Sequence, residues 1–235
     1  MAGGEWREAN EQPGENAVAG YVLAGGASSR FGSDKAQASL GGKSLLSRTC
    51  GMVLAVTGNV AVIAPGSRYD LEGAGVVADR WPGEGPLGGI LTALCATTES
   101  QPACGWNLIV SCDMPFLTSE WMGYLVGHAF AAPKAKNSLP GLGPTDPAPV
   151  GVILPVSEHG LEPLCACWRT SALPKLQAAF DQGVRKVTEA MKRLRMEVLD
   201  GAHWKRFDTA GRLFWNMNTQ QDYQEALRVW ETERQ

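Results

Sequence analysis

Two adjacent glycines with two cations close behind them are the first residues in this chain that could do chemistry. In YVLAGGASSRFGSDKA, residues 21–36, Gly25 and Gly26 follow a short apolar run, and Arg30 and Lys35 stand downstream. Glycines leave backbone amides uncovered, so the stretch is suited to receive an anion. Arginine offers a planar fork for two oxygens, whereas lysine is a mobile point charge. Two common phosphate motifs do not fit. G-x-x-x-x-G-K-[ST] fails because Gln37 stands where its first glycine should be, although Gly42, Lys43 and Ser44 supply its end; G-x-G-x-x-G fails because Gly25 and Gly26 adjoin and Arg30 takes the last position. Further along, Asp113 closes the apolar run WNLIVSCD and precedes Met114-Pro115, which places its carboxylate at the carboxyl edge of a sheet. Asn216 and Asn218 lie two apart on the strand-like FWNMN, project to one side, and can both donate and accept hydrogen bonds. His128, His159 and His203 are scattered and form no H-E-x-x-H, so surface or turn roles are expected of them.

These residues need a framework, and the hydrophobic pattern supplies one. AVAGYVLA, NVAVIA, GVVAD, WNLIVSCD and APVGVILP read as strands, and LEPLCACWR alternates like another. Helical patterns follow at 43–56 (Leu45, Thr49, Met52, Val53 and Val56 on one face), 87–97 and 118–130, then at 172–182 and 184–194. A last helix begins after Thr219, with Asp222 at the third position as in a capping box and Tyr223, Ala226, Leu227 and Trp230 as its buried stripe. Strand and helix in alternation predict a Rossmann-like three-layer α/β/α domain around a mostly parallel sheet. The expected organisation is one domain over 17–235, a flexible polar tail at 1–16, and a mobile excursion at 131–148, where four prolines exclude regular structure.

Composition narrows the partners. Lys and Arg number 21 against 24 Asp and Glu, for a formal charge of −3, and no basic run interrupts the chain. Bulk attraction to nucleic acid or anionic membrane is therefore not expected. The N-terminal stretch lacks a basic and apolar leader pattern and no long apolar run is present, so a cytoplasmic location is the expectation. Six cysteines, none in C-x-x-C spacing, are expected to be buried free thiols; Cys165 and Cys167 share one strand face, a poor geometry for a disulfide.

The glycine stretch reads L-A-G-G-x-S-x-R-F-G-x-D-K, realised as Leu23, Ala24, Gly25, Gly26, Ser28, Arg30, Phe31, Gly32, Asp34 and Lys35. It resembles the signature of nucleotidyltransferases with the glycosyltransferase type A-like α/β fold, and its LAGG form is most like the molybdenum cofactor guanylyltransferase (MobA) family. GGKSLL, Asp79 at the end of GVVAD, GPLGGI, SCDMPFL and FWNMNTQQDY resemble that family's other motifs in its order and spacing, from about residue 17 to 230. The resemblance implies Mg²⁺-dependent transfer of GMP from GTP to the terminal phosphate of molybdopterin, or of its molybdate-loaded form, with release of pyrophosphate. It implies that Arg30, Lys35 and Asp113 are catalytic: Lys35 on the α-phosphate, Arg30 on the leaving pyrophosphate, Asp113 as the magnesium ligand. Leu23, Ala24, Gly25, Gly26, Lys35, Asp79, Gly85 and Asp113 would hold the nucleotide, and Asn216 and Asn218 would face the pterin. Transient handover contacts with other molybdenum cofactor enzymes are implied as well. The chain departs from the family at Ser44, where proline is usual, and at Ile63-Ala64, near where an asparagine serves the nucleotide. That leaves transfer of CMP, or transfer to a sugar or isoprenoid phosphate, as alternatives, and a nucleotide-binding regulator without turnover as another.

Overall fold

A computed structural model of the chain describes residues 17–25, 34–66, 69, 71, 73–131 and 149–232. The tail 1–16, nearly all of 131–148, and Gly26 and Arg30 of the glycine stretch lie outside the described residues. In chain order the strands are β1 (Val18–Leu23), β2 (Ser39–Leu40), β3 (Lys43–Ser44), β4 (Ala61–Ala64), β5 (Gly75–Ala78), β6 (Trp106–Ser111), β7 (Val150–Ser157), β8 (Gly160–Leu161), β9 (Cys165–Arg169) and β10 (Arg195–Leu199). The helices are α1 (Leu45–Thr57), α2 (Pro86–Ser100), α3 (Ser119–Phe130), α4 (Leu173–Asp181), α5 (Val187–Ala190), α6 (Gly201–Trp204) and α7 (Gln220–Thr232).

The main sheet runs β10-β7-β9-β6-β1-β4-β5, with β8 pairing on β7. β6, β1, β4 and β5 are mutually parallel neighbours, and β9 is the antiparallel strand that joins them to the parallel pair β7 and β10. Both faces are covered, which explains why the strands carry apolar residues at odd and even positions alike. Val18 and Val22 of β1 pack into one core with Leu46 and Val53 of α1 and Trp121 of α3. Ala19, Tyr21 and Leu23 turn the other way, to Leu87 and Ile90 of α2 and Leu176 of α4. The expected three layers are present.

A third, smaller core explains how distant parts of the sequence meet. Leu40, Leu45, Met217 and Ala226 are buried together, with Phe116, Trp215, Tyr223, Leu227 and Trp230 packed against them. β2 and β3 form a two-residue hairpin whose Gly41 and Gly42 both take positive φ (61° and 81°), the conformation that a tight primed turn demands. Trp230 lies so close that a Cβ on Gly41 would stand 2.3 Å from its indole nitrogen, while Arg48 stacks on the same ring at 4.1 Å. α7 is thereby docked on the hairpin. Its start is the expected cap: Thr219 Oγ1 accepts from the Asp222 amide, and Asp222 Oδ2 accepts from the amides of Asn218 and Thr219, an arrangement worth about 1 kcal/mol.

Three sequence expectations need correction. The pattern read as helix over 43–56 begins only at Leu45, because Lys43 and Ser44 pair in the hairpin and Ser44 serves as N-cap, accepting from the Ser47 amide. The 184–194 pattern holds only α5 and the helical turn Met191–Arg193, and the chain then enters β10, which the sequence reading missed. FWNMN is not a strand; Phe214 lies in a turn and Trp215 to Asn218 run on without sheet pairing. All six cysteines are free as expected, and five are buried while Cys95 is half-exposed; burial pushes the Cys50, Cys112 and Cys165 thiols up to about 12. No described helix is long and apolar enough to cross a membrane.

Candidate active site

Parallel strands send their carboxyl ends to one edge, and the singled-out residues follow those ends. Leu23 closes β1 in register with Ser111 of β6 and Ile63 of β4, and Ala64 pairs with Ala78 at the end of β5. Ala24, Gly25, Asp79 and Asp113 therefore emerge side by side. Main-chain bonds carry the sheet one step further, from the Ala24 amide to Ile63 O (2.9 Å), the Asp79 amide to Ala64 O (2.8 Å) and the Cys112 amide to Leu23 O (3.4 Å). Such an edge is where α/β sheets bind their ligands.

Gly25 is exposed, and a Cβ there would lie 4.0 Å from Asp79 Oδ2. Asp79 is held by its other oxygen, which accepts from the Trp81 amide (3.0 Å) and the Thr92 hydroxyl (3.1 Å). Its Oδ2 accordingly faces the glycine without a bond from any described residue. Gly85 begins α2, with φ 80° that a side chain would oppose, and Pro86 follows at the first helical position. Among the described residues nothing joins Gly85 to the others directly; it sets the start of the helix that covers β1.

Lys35 and Asp113 meet. The lysine ammonium donates to Asp113 Oδ2 at 3.0 Å and to the carbonyl of Met217, and both side chains of the ion pair are 17% exposed. Asp34 caps the helical turn that carries Lys35, accepting from the Ala36 amide at 3.1 Å. Met217 returns the favour to the other partner, since its amide donates to Asp113 O at 2.9 Å. Asp113 Oδ1 is buried and has no hydrogen-bond partner among the described residues. A buried carboxylate oxygen without a donor is costly, so this atom is suited to a ligand that the described residues do not provide.

A hard divalent cation fits that atom. No group of three or more His, Cys, Asp or Glu side chains among the described residues is arranged to hold a metal ion, so an ion here would take one or two protein oxygens and fill its shell with water and substrate. That is how magnesium is usually held beside phosphates.

Of the two asparagines, Asn216 is half-buried, with its Nδ2 donating to Phe214 O at 3.3 Å, and Asn218 is exposed with its amide engaged in the α7 cap. Met217 between them is buried. The stacked pair Phe116 and Trp215, with centroids 5.5 Å apart, holds this crossing segment over the turn after β6.

Sequence reasoning missed Glu162. It lies between β8 and β9, is 7% exposed, and accepts from the Ser157 hydroxyl at 2.6 Å. Burial raises its pKa, which the Ser157 bond, His159 and the Asn216 side chain lower, while the Asp113 charge raises it. The signal was a single carboxylate inside the alternating LEPLCACWR, whose partners only the fold brings near. The histidines likewise gather more than their spacing suggests: His128 and His203 lie with rings 6.0 Å apart, and His128 bonds the buried Glu197. A cleft of about 340 Å³ adjoins the Asn216 segment through Trp215 and the Glu162 partner Ser157, and also presents Trp204, His159 and Arg212.

Comparison with known proteins gives the family and the fold. Residues 20–195 match the MobA-like NTP transferase domain. A probable molybdenum cofactor guanylyltransferase of Deinococcus radiodurans is 35% identical over 167 residues, covering 71% of this chain and 75% of that protein. Among solved structures, molybdopterin-guanine dinucleotide biosynthesis protein A from Archaeoglobus fulgidus shares the fold with a TM-score of 0.69 and 24% identity, over 91% of this chain and 99% of that one. A manganese complex of Rv0371c from Mycobacterium tuberculosis is similar in fold, with a TM-score of 0.55 and 14% identity over 90% of this chain and 98% of that one. With Gly25, Lys35 and Asp113 converging on one sheet edge and three quarters of the chain matched, the protein belongs to the MobA-like NTP transferase family, whose members are nucleotidyltransferases.

Proposed function

We propose that this protein is a molybdenum cofactor guanylyltransferase, moving GMP from GTP to the terminal phosphate of molybdopterin or its molybdate-loaded form. The observation that carries the reading is the contact of Lys35 with Asp113 beside Gly25 and Asp79, one cation and one incompletely satisfied carboxylate at the mouth of four parallel strands.

The acceptor phosphate oxygen forms a bond to the α-phosphorus of GTP, and the bond to the bridging oxygen breaks, releasing pyrophosphate. The acceptor is already ionised at neutral pH, so no side chain need take a proton from it; like-charge repulsion is the obstacle, and positioning and neutralisation are the means to overcome it. Backbone amides at Gly25 and Gly26 receive phosphate oxygens. Lys35 leaves Asp113 for the α-phosphate and follows its charge through the reaction, and Arg30 holds the departing pyrophosphate. Asp79 Oδ2 contacts the nucleoside, with Leu23, Ala24 and Gly85 shaping its surroundings. Asp113, relieved of Lys35, would hold a magnesium ion, which when bound would neutralise the triphosphate and polarise its α-phosphorus. Asn216 and Asn218 face the pterin, for which the cleft beside Trp215 offers a flat aromatic wall. The manganese complex of the Mycobacterium tuberculosis neighbour supports the choice of a divalent ion.

Pyrophosphate release from each of the four nucleoside triphosphates, with magnesium and with or without molybdopterin, tests the reading. Release from GTP that depends on the acceptor is expected. A preference for CTP would indicate the cytosine dinucleotide instead, and binding of nucleotide without release would mark a regulator.

A further inference from the structure

Tyr69 stands between β4 and β5, outside every motif singled out above, and is only 7% exposed. Its ring belongs to the same core as Ala36, and its hydroxyl reaches two places that the sequence keeps apart. It donates to Asp34 Oδ2 at 2.9 Å, with Oδ1 at 3.2 Å, and lies 3.3 Å from the carbonyl of Ala24. Ala24 follows β1 at the entrance of the glycine stretch; Asp34 stands at its exit and caps the turn that begins with Lys35. One hydroxyl thus links the sheet edge to the support of the lysine. A tyrosine needed only for packing would not require its oxygen on a carboxylate, because the ring alone fills the core.

We infer that Tyr69 is a positioning residue for nucleotidyl transfer, holding Asp34 so that the helical turn after it delivers the Lys35 ammonium to the reaction centre. The inference rests on the functional reading above, in which Lys35 acts on the α-phosphate. The physical chain is short. A hydrogen bond to a charged group is among the stronger ones in a protein, and Asp34 spends its Oδ1 on the Ala36 amide. Without the phenol, Oδ2 loses its donor inside a partly buried site, and the carboxylate is free to swing toward water. The Ala36 bond and the start of the turn move with it. A displacement of about an ångström at a charge-bearing group is enough to cost a large factor in rate.

Tyr69→Phe keeps the ring and removes only the oxygen. In single-turnover assays at saturating GTP, Y69F is expected to slow pyrophosphate release about tenfold while the KM for GTP stays within about threefold of wild type. In a Lys35→Met background the same change is expected to add less than about twofold, because a residue that acts through the lysine has nothing left to position. Asp34→Asn, which keeps an acceptor for Ala36 but loses the charge, is expected to show the same split between rate and KM. Wild-type turnover in Y69F, or an equal slowing with and without Lys35, overturns the inference while leaving the functional reading in place. A folded wild-type protein that releases no pyrophosphate from any triphosphate overturns both.

Discussion

Asp113→Asn is expected to retain the fold and lose turnover by about a thousandfold or more, the largest single effect in the molecule. Asparagine is isosteric, so the turn after β6 and the main-chain bond from Met217 persist. What disappears is the charge that both Lys35 and a divalent ion require. Loss of this partly buried ion pair costs about 1–3 kcal/mol, between the values for surface and buried pairs, and each kcal/mol lowers the melting temperature of a domain this size by about 2–4 °C. Circular dichroism should therefore show the native spectrum with a modestly lower transition. Unchanged magnesium-dependent activity in D113N would remove this residue from the metal site.

Lys35→Met is expected to slow the chemical step by about a hundredfold to a thousandfold, with a smaller loss in affinity for GTP. The ion pair adds a result with the opposite sign. In the free protein Lys35 neutralises Asp113 at 3.0 Å, so ammonium and divalent ion compete for one carboxylate. K35M should bind Mn²⁺ in the absence of nucleotide on the order of tenfold more tightly than wild type, as titration followed by electron paramagnetic resonance would read. A lysine that only gathers phosphates would leave metal affinity alone, and a loss confined to GTP affinity would limit it to that role.

Much of this site was legible before any coordinates. Gly25, Lys35 and Asp113 stand where strand ends and glycine spacing place them, and a parallel sheet converts those local signals into one edge without further information. The parts that escaped are those made by partners distant in sequence. Glu162 looks like a flaw in an alternating strand until Ser157 and Asn216 are seen beside it. β10 was hidden because Arg195 and Glu197 interrupt its apolar character, and Glu197 is buried with one oxygen bonded by His128 of α3. FWNMN alternates like a strand, yet its Met217 is claimed by the small core under α7 and its main chain by Lys35 and Asp113, so it never joins the sheet. Tyr69 carries no pattern at all; its role follows from 2.9 Å to a carboxylate that lies 35 residues earlier.

The most direct test is a crystal structure of the protein with magnesium and a GTP analogue whose α–β bridge cannot be cleaved. The account predicts one triphosphate spanning the sheet edge, with its phosphates at Gly25, the Lys35 ammonium transferred from Asp113 to an α-phosphate oxygen, and the metal on Asp113. A nucleotide bound elsewhere, with the Lys35–Asp113 pair still closed, would contradict it.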